Sequence, residues 1–286
     1  MKRRRSAREV DRTLLRRWPL PAAEGSDSKE DRGRVLVVGG SAQVPGGVLL
    51  AGTAALRAGA GKLQIATATD AAVPLAIAMP EALVMPLACS ARGDIVRASA
   101  QLRSEAAHAQ AIAIGSGMPA TRASCRIAQA LLAVATGPVL LDAGALGACA
   151  HSGRAQPVIT PHPGEMAELI GDDVDVVAAH PAEIAVEFAI GRNAIVVLKG
   201  PTTFIAHPDG RSWVHHGGVV GLGTSGSGDV LAGLIAGLAA RGATPEQAAA
   251  WGVWLHARAG ARLSKRQGTV GFLAREIAAE VPSLLG

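Results

Sequence analysis

The chain has 286 residues, 49% hydrophobic and only 2% aromatic with no tyrosine, so its core must be built from Ala, Val, Leu and Ile. Its net charge is +5, but residues 1–18 alone carry +6 (Lys2, Arg3, Arg4, Arg5, Arg8, Arg12, Arg16 and Arg17 against Glu9 and Asp11), which leaves −1 for the rest. That makes the basicity a property of a tail and argues against a nucleic-acid protein, whose folded domain would carry the basic stripe.

In chain order, Val10, Leu14, Leu15 and Trp18 share one helical face, which predicts a short amphipathic helix docked on the domain or on a neighbouring subunit. Residues 19–33 read as a lead-in loop. From Arg34 onward, short apolar runs alternate with helical patterns. Strands are expected at residues 35–38, 63–66, 82–85, 111–114, 139–141, 158–160 and 195–198. Helices are expected at 48–58, 71–78, 94–107, 121–135, 164–170 and 174–190. Residues 203–206 and 213–215 flank Pro208-Asp209-Gly210 and predict a hairpin. A glycine-rich loop then feeds a helix at 229–240. Thr244-Pro245-Glu246-Gln247 starts another, with Thr as cap and Pro in the first turn.

Alternating strands and helices imply an α/β fold: a mostly parallel central sheet with helices on both faces, and ligands at the carboxyl ends of the strands. The expected organisation is a basic tail and lead-in loop over 1–33, followed by one catalytic domain over 34–286. Cys89, Cys125 and Cys149 are widely spaced and lack C-x-x-C pairing, the usage of a reducing compartment without a disulfide framework or zinc site. No early apolar stretch follows the basic tail, and the apolar helix at 230–240 is far short of the ~20 residues a bilayer span needs. A cytoplasmic protein with no membrane partner is expected.

Gly221-Leu222-Gly223-Thr224-Ser225-Gly226-Ser227-Gly228-Asp229 carries the strongest chemical signal. Its glycines permit a tight backbone course, and the free amides of the following helical turn face an anion. Asp229 stands where a carboxylate accepts a proton from an alcohol attacking a phosphoryl group. The bland alternative is a helix cap. The neighbouring amides favour the ionised form, which predicts a weak base with an orienting role. Leu198-Lys199-Gly200-Pro201-Thr202-Thr203 places a cation and hydroxyls at a strand end, where they suit a nucleotide or, more plainly, a turn with a solvated Lys. In Thr160-Pro161-His162-Pro163-Gly164-Glu165, two prolines frame His162. Glu165 either supports the next helical turn or binds magnesium through water. Gly39-Gly40-Ser41, Gly46-Gly47, Ile114-Gly115-Ser116-Gly117 and Leu141-Asp142 are weaker strand-end signals. His215 and His216 alternate across a strand, so no metal cluster is nominated.

Taken in this order, these segments and Leu56-Arg57-Ala58-Gly59-Ala60-Gly61 resemble the bacterial ADP-dependent NAD(P)H-hydrate dehydratases of the ribokinase-like superfamily, from about Lys29 to the C-terminus. The resemblance implies a hydro-lyase that phosphorylates the ring hydroxyl of (S)-NADHX or (S)-NADPHX and expels phosphate to restore NADH or NADPH. Carried over by position, Gly47, Gly117, His162 and Asp229 would contact the hydrate, with Asp229 activating its hydroxyl. Lys199, Gly200, Pro201, Thr202, Thr203 and Gly228 would contact the nucleotide. The implied cofactors are ADP (or ATP) as donor and Mg2+ held largely by phosphates. The implied assembly is a homotetramer served by an epimerase on a separate chain. The sequence departs from the family pattern where Gly144 replaces the second acid of Asp-Ala-Asp, where Ser28 replaces a His, and in lacking a further glycine at the Gly115 turn. The rival readings are a thiazole- or hydroxymethylpyrimidine-type kinase of the same superfamily, favoured less by the Thr160–Glu165 segment, and a non-catalytic nucleotide sensor.

Overall fold

The computed structural model describes residues 7–22, 28–150 and 156–285. Ten strands form one sheet: β1 Arg8–Glu9, β2 Arg34–Gly39, β3 Lys62–Ala68, β4 Ala82–Leu87, β5 Ala111–Ile114, β6 Val139–Leu141, β7 Pro157–Ile159, β8 Ile195–Leu198, β9 Thr203–Ala206 and β10 Ser212–His215. Their order is β1-β10-β9-β8-β7-β6-β5-β2-β3-β4. All pairs from β4 across to β8 are parallel, whereas β9 runs antiparallel to its neighbours β8 and β10. The chain proceeds from β2 outward to β4, then returns to the other side of β2 with β5. The switch point therefore lies between β2 and β5, where diverging loops open a crevice at the strands' carboxyl ends.

Strands β2, β5, β6 and β8 are apolar runs buried over almost their whole length, as covered parallel strands must be. The helices in chain order are α1 Arg12–Arg17, α2 Gly46–Arg57, α3 Thr69–Ala78, α4 Ala100–His108, α5 Arg122–Leu132, α6 Pro163–Ile170, α7 Val174–Ala179, α8 Pro181–Arg192, α9 Ser227–Ala240, α10 Pro245–Gln267, α11 Ala274–Glu280 and α12 Pro282–Leu285. Scarcity of large side chains has a direct packing consequence. Helix α9 lies on α2 so closely that a Cβ at Gly233 or Gly237 would strike the carbonyl oxygens of Ala51 and Ala55. Small residues at this seam are a steric requirement. No helix among the described residues is long and apolar enough to cross a membrane.

Several expectations needed correction. The helix expected from residue 94 begins only at Ala100, because Ser99 caps it by accepting from the Leu102 amide at 3.0 Å. The preceding residues instead form a bend closed by a Cys89–Ile95 bridge. The helix expected over 174–190 is two helices, parted at His180 where Pro181 removes an amide donor. Residues 143–150 form a 3-10 helix that the sequence pattern did not suggest.

The N-terminal segment docks on the domain, with most of its contact made outside a helix. Strand β1 adds to β10 in parallel, the Val10 amide donates to the Val214 carbonyl at 2.7 Å, and Val10 and Leu15 are buried. Trp18 stacks on Trp213 with ring centroids 5.7 Å apart, and its carbonyl accepts from the Trp251 indole at 2.8 Å. The basic run at residues 2–5 lies outside the described residues.

Candidate active site

Loops leaving the carboxyl ends of β6, β7 and β8 meet the N-terminus of α9 around a cavity of about 620 Å³. Its walls include Asp142, His162, Glu165, Lys199, Gly200, Pro201, Thr203, Gly228, Asp229 and His256. Of the nucleotide-binding residues expected from the resemblance, only Thr202 is off this wall; its hydroxyl lies 3.2 Å from His216 Nδ1.

Helix α9 starts on Gly226, held at φ 86°, a left-handed conformation that glycine adopts without steric cost. Because Gly226 is the N-cap and no side chain caps this helix, the capping role considered for Asp229 does not apply. Asp229 sits instead in the first turn and in the cavity wall. Its pKa is pushed up to about 6, by burial first and by the charge of Asp142 second, against the opposing pull of the Ser116 hydroxyl and Lys199. This reverses the expectation of a carboxylate held low by helix amides: lost solvation and a nearby like charge outweigh them.

Lys199 ends β8 and reaches across to two acids. Its Nζ is 3.2 Å from Asp142 Oδ1 and 3.6 Å from Glu165 Oε2. Burial pulls its pKa down, but these carboxylates outweigh burial and the net shift is upward, so the ammonium is secure. Asp142 is itself buried and receives a 2.6 Å hydrogen bond from the Thr160 hydroxyl. The Lys199 head also stands over the start of α9, since a Cβ at Gly228 would lie 3.4 Å from Nζ. A cation and the free amides of a helical first turn thus face the same space, the electrostatics of a phosphate site.

His162 is fixed by a reciprocal cap of α6. Its Nδ1 accepts from the Glu165 amide at 3.2 Å, while Glu165 Oε2 accepts from the His162 amide at 2.7 Å. Nε2 lies 3.6 Å from the same Glu165 Oε2, on an exposed ring that forms part of the cavity wall. Glu165 supports the turn as expected and in addition pairs with Lys199.

Gly47 and Gly117 lie at the β2/β5 switch point instead of on the cavity wall. A Cβ at Gly47 would come within 2.9 Å of the Gly117 amide nitrogen. Ser116, between Gly115 and Gly117, acts on the Asp229 carboxyl and draws its pKa down, so this glycine-lined rim adjoins the cavity at Asp229. Gly144 is also packed against backbone: a Cβ there would strike the carbonyl oxygens of Met118 and Pro119. This backbone has no room for the acid usual in the family pattern.

Sequence reasoning missed His256, a lone histidine in the Ala-rich helix α10. It passed over Ser116 and Ser227 as members of glycine turns. No local pattern marks His256, because its partner is 29 residues away.

The sequence profile of the NAD(P)H-hydrate dehydratase family matches residues 35–283. The chain belongs to that family. It is 54% identical over 279 residues to the ADP-dependent (S)-NAD(P)H-hydrate dehydratase of Xanthomonas campestris pv. campestris, covering 97% of this chain and 96% of the relative. It is 32% identical to the bifunctional NAD(P)H-hydrate repair enzyme of Escherichia coli, covering 92% of this chain but 49% of that protein. The ADP/ATP-dependent NAD(P)H-hydrate dehydratase of Bacillus subtilis, co-crystallised with ATP and Mg2+, superposes with a TM-score of 0.85 at 31% identity over 98% of both chains. Arabidopsis thaliana ribokinase shares the fold alone, with a TM-score of 0.59 at 12% identity over 88% of this chain and 98% of that one. The fold of this NAD(P)H-hydrate dehydratase family member is ribokinase-like.

Proposed function

We propose that the chain is an ADP-dependent hydro-lyase that converts (S)-NADHX and (S)-NADPHX to NADH and NADPH. One observation carries the reading: Asp229, a carboxyl with a pKa near 6, shares a single cavity with the Lys199 ammonium and the amide-rich start of α9. A base with that pKa is ionised at neutral pH yet able to hold a proton, as the deprotonation of an attacking alcohol requires. The hydrate's hydroxyl gives its proton to Asp229 while its oxygen attacks the terminal phosphorus of ADP. AMP leaves, and a ring phosphate ester forms. Phosphate then departs where hydroxide could not, the adjacent ring carbon gives up a proton, and the double bond of the reduced nicotinamide is restored.

In this reading Lys199, Gly200, Pro201, Thr202, Thr203 and Gly228 hold the nucleotide, with Lys199 and the α9 amides on its phosphates. Gly47, Gly117 and His162 hold the hydrate against Asp229, the glycines by close approach of backbone. Magnesium fits as a phosphate-borne ion. Among the described residues no three His, Cys, Asp or Glu side chains converge as a cage, and Asp142 and Glu165 are already engaged by Lys199. Phosphate oxygens and water would supply most ligands, and the ion would neutralise charge on the transferring group.

We further propose that residues 34–286 act as one catalytic domain behind the tail and loop of 1–33, in a cytoplasmic homotetramer. An epimerase on a separate chain would supply the S form of the substrate. The bifunctional relative, about half of whose length this chain spans, supports such a coupling of activities. The test supplies hydrated NADH with ADP or ATP and follows recovery of reduced-nicotinamide absorbance. Recovery with stoichiometric AMP supports the reading. No recovery with either nucleotide overturns it.

A further inference from the structure

Ser227 occupies the first helical position of α9, between left-handed Gly226 and Gly228, and is 4% exposed in the wall of the cavity. A serine one position earlier would be a cap, accepting a hydrogen bond from an amide of the first turn. Gly226 already holds that place, so capping does not explain the hydroxyl. Its partner is His256 of α10. The ring Nε2 lies 2.9 Å from Ser227 Oγ and 3.1 Å from the Ser227 carbonyl oxygen.

One tautomer of His256 makes both contacts attractive. A carbonyl oxygen only accepts, so Nε2 must carry a proton for the 3.1 Å contact to be attractive. That same N–H is then shared with Oγ, which makes the serine oxygen an acceptor towards His256. The hydroxyl's own proton is left to be donated elsewhere. Around Ser227 are the first-turn amides of α9 and, beside Gly228, the Lys199 ammonium, all of which favour an anionic oxygen in this space. Burial first, and the charge of Lys199 as well, hold His256 in its neutral form, with one ring N–H and a pKa near 4, although its bond to Ser227 pulls the other way. The ring thus adds a directed donor at the phosphate site without adding a charge.

We propose that the Ser227 hydroxyl is a further catalytic residue, donating a hydrogen bond to the phosphoryl group in flight, and that His256 is the positioning residue that turns it there. The proposal rests on the phosphoryl-transfer reading above. It is kept distinguishable from that reading by a binding measurement that needs no hydrate.

Ser227→Ala is expected to lower kcat by about 10- to 100-fold, somewhat less than loss of a full oxyanion-hole donor. KM for ADP should stay within about twofold of wild type, because the contact strengthens only in the transition state. Ser227→Thr should restore most of kcat. His256→Phe should lose nearly as much as Ser227→Ala, and the double variant no more than either alone, since both remove one device. His256→Gln, whose amide can still donate, should recover a measurable part. In parallel, AMP with magnesium and aluminium fluoride, a mimic of the transferring phosphoryl group, should bind Ser227→Ala at least tenfold more weakly than wild type while ADP binds both alike.

Equal binding of that mimic to both proteins would overturn the proposal whatever the substrate proves to be. So would an undiminished kcat in Ser227→Ala, failure of Thr to rescue it, or a loss confined to KM. If the mimic discriminates but hydrated NADH is not turned over, the substrate assignment fails and the Ser227 role stands. Thermal midpoints measured on every variant identify any that lose activity by unfolding, and the Thr and Gln variants, which keep volume and polarity, carry the test where another does not fold.

Discussion

Two rims of the same sheet edge solve opposite problems. At the β2/β5 switch point, Gly39, Gly47 and Gly117 bring backbone against backbone and leave no space for side chains. At the β6–β8 ends, Asp142, Glu165 and Lys199 concentrate three charged groups in a partly buried network closed by Thr160. In the proposed function the first rim would recognise by close approach of peptide groups, whereas the second would work by charge. Asp229 stands at their boundary, its pKa drawn down by Ser116 of the first and pushed up by Asp142 of the second. One carboxyl is thereby tuned by both rims.

The sharpest break in this arrangement is at the boundary itself. Asp229→Ala is expected to cut turnover by about a thousandfold or more while ADP binding persists; near-normal turnover would remove Asp229 from the mechanism. The wild-type rate should fall about tenfold per pH unit below pH ~6, the limb of a base with that pKa. Stability should show the complementary sign. The folded pKa, near 6, exceeds the ordinary 3.8, so this group's contribution to stability is complete below pH ~4 and is lost as pH rises through 6. Asp229→Asn should accordingly stabilise the protein by about 1–2 kcal/mol at pH 8, after discounting for partial exposure, and by almost nothing at pH 4. Denaturation midpoints at the two pH values check this.

Breaking the charged rim comes next. Lys199→Met leaves Asp142 buried without its cation, which should cost about 3 kcal/mol in chemical denaturation and weaken ADP binding as well. The glycine rim should respond differently. At Gly47 an added Cβ meets the backbone of Ser116 and Gly117, which cannot yield as a side chain would, so Gly47→Ala should cost about 1–3 kcal/mol. Its effect should appear in KM for the hydrate, with KM for ADP unchanged, which separates the two rims kinetically. The smallest effect lies far from both. Trp18→Ala removes the stack on Trp213 and should lower stability by about 1 kcal/mol without altering kcat.

Much of this was legible in local sequence. The strand at 195–198, the hairpin around Pro208-Asp209-Gly210 and the cap of α10, where Thr244 accepts from the Gln247 amide, follow from short-range rules that tertiary context left intact. The late start of α4 and the break at Pro181 carried local signals too, a capping Ser99 and a proline, but a continuous apolar pattern masked them. Strand β1 had no such signal. Two residues become a strand only because β10 offers an open edge some 200 positions later in the chain.

At the site, sequence alone marked the reactive segments, because glycine turns, framing prolines and strand-end charges are written in consecutive residues. Asp229, Lys199 and His162 were found that way. What tertiary structure decided was their ionisation and their partners. Asp142 meets Lys199 across 57 positions and His256 meets Ser227 across 29, distances over which no periodicity speaks. The proton affinity of Asp229 is likewise set by the desolvation and like charge that folding brings to it. Its local sequence favoured an ionised, weakly basic carboxylate, but burial beside Asp142 raised its pKa to about 6, in the range a base at neutral pH requires.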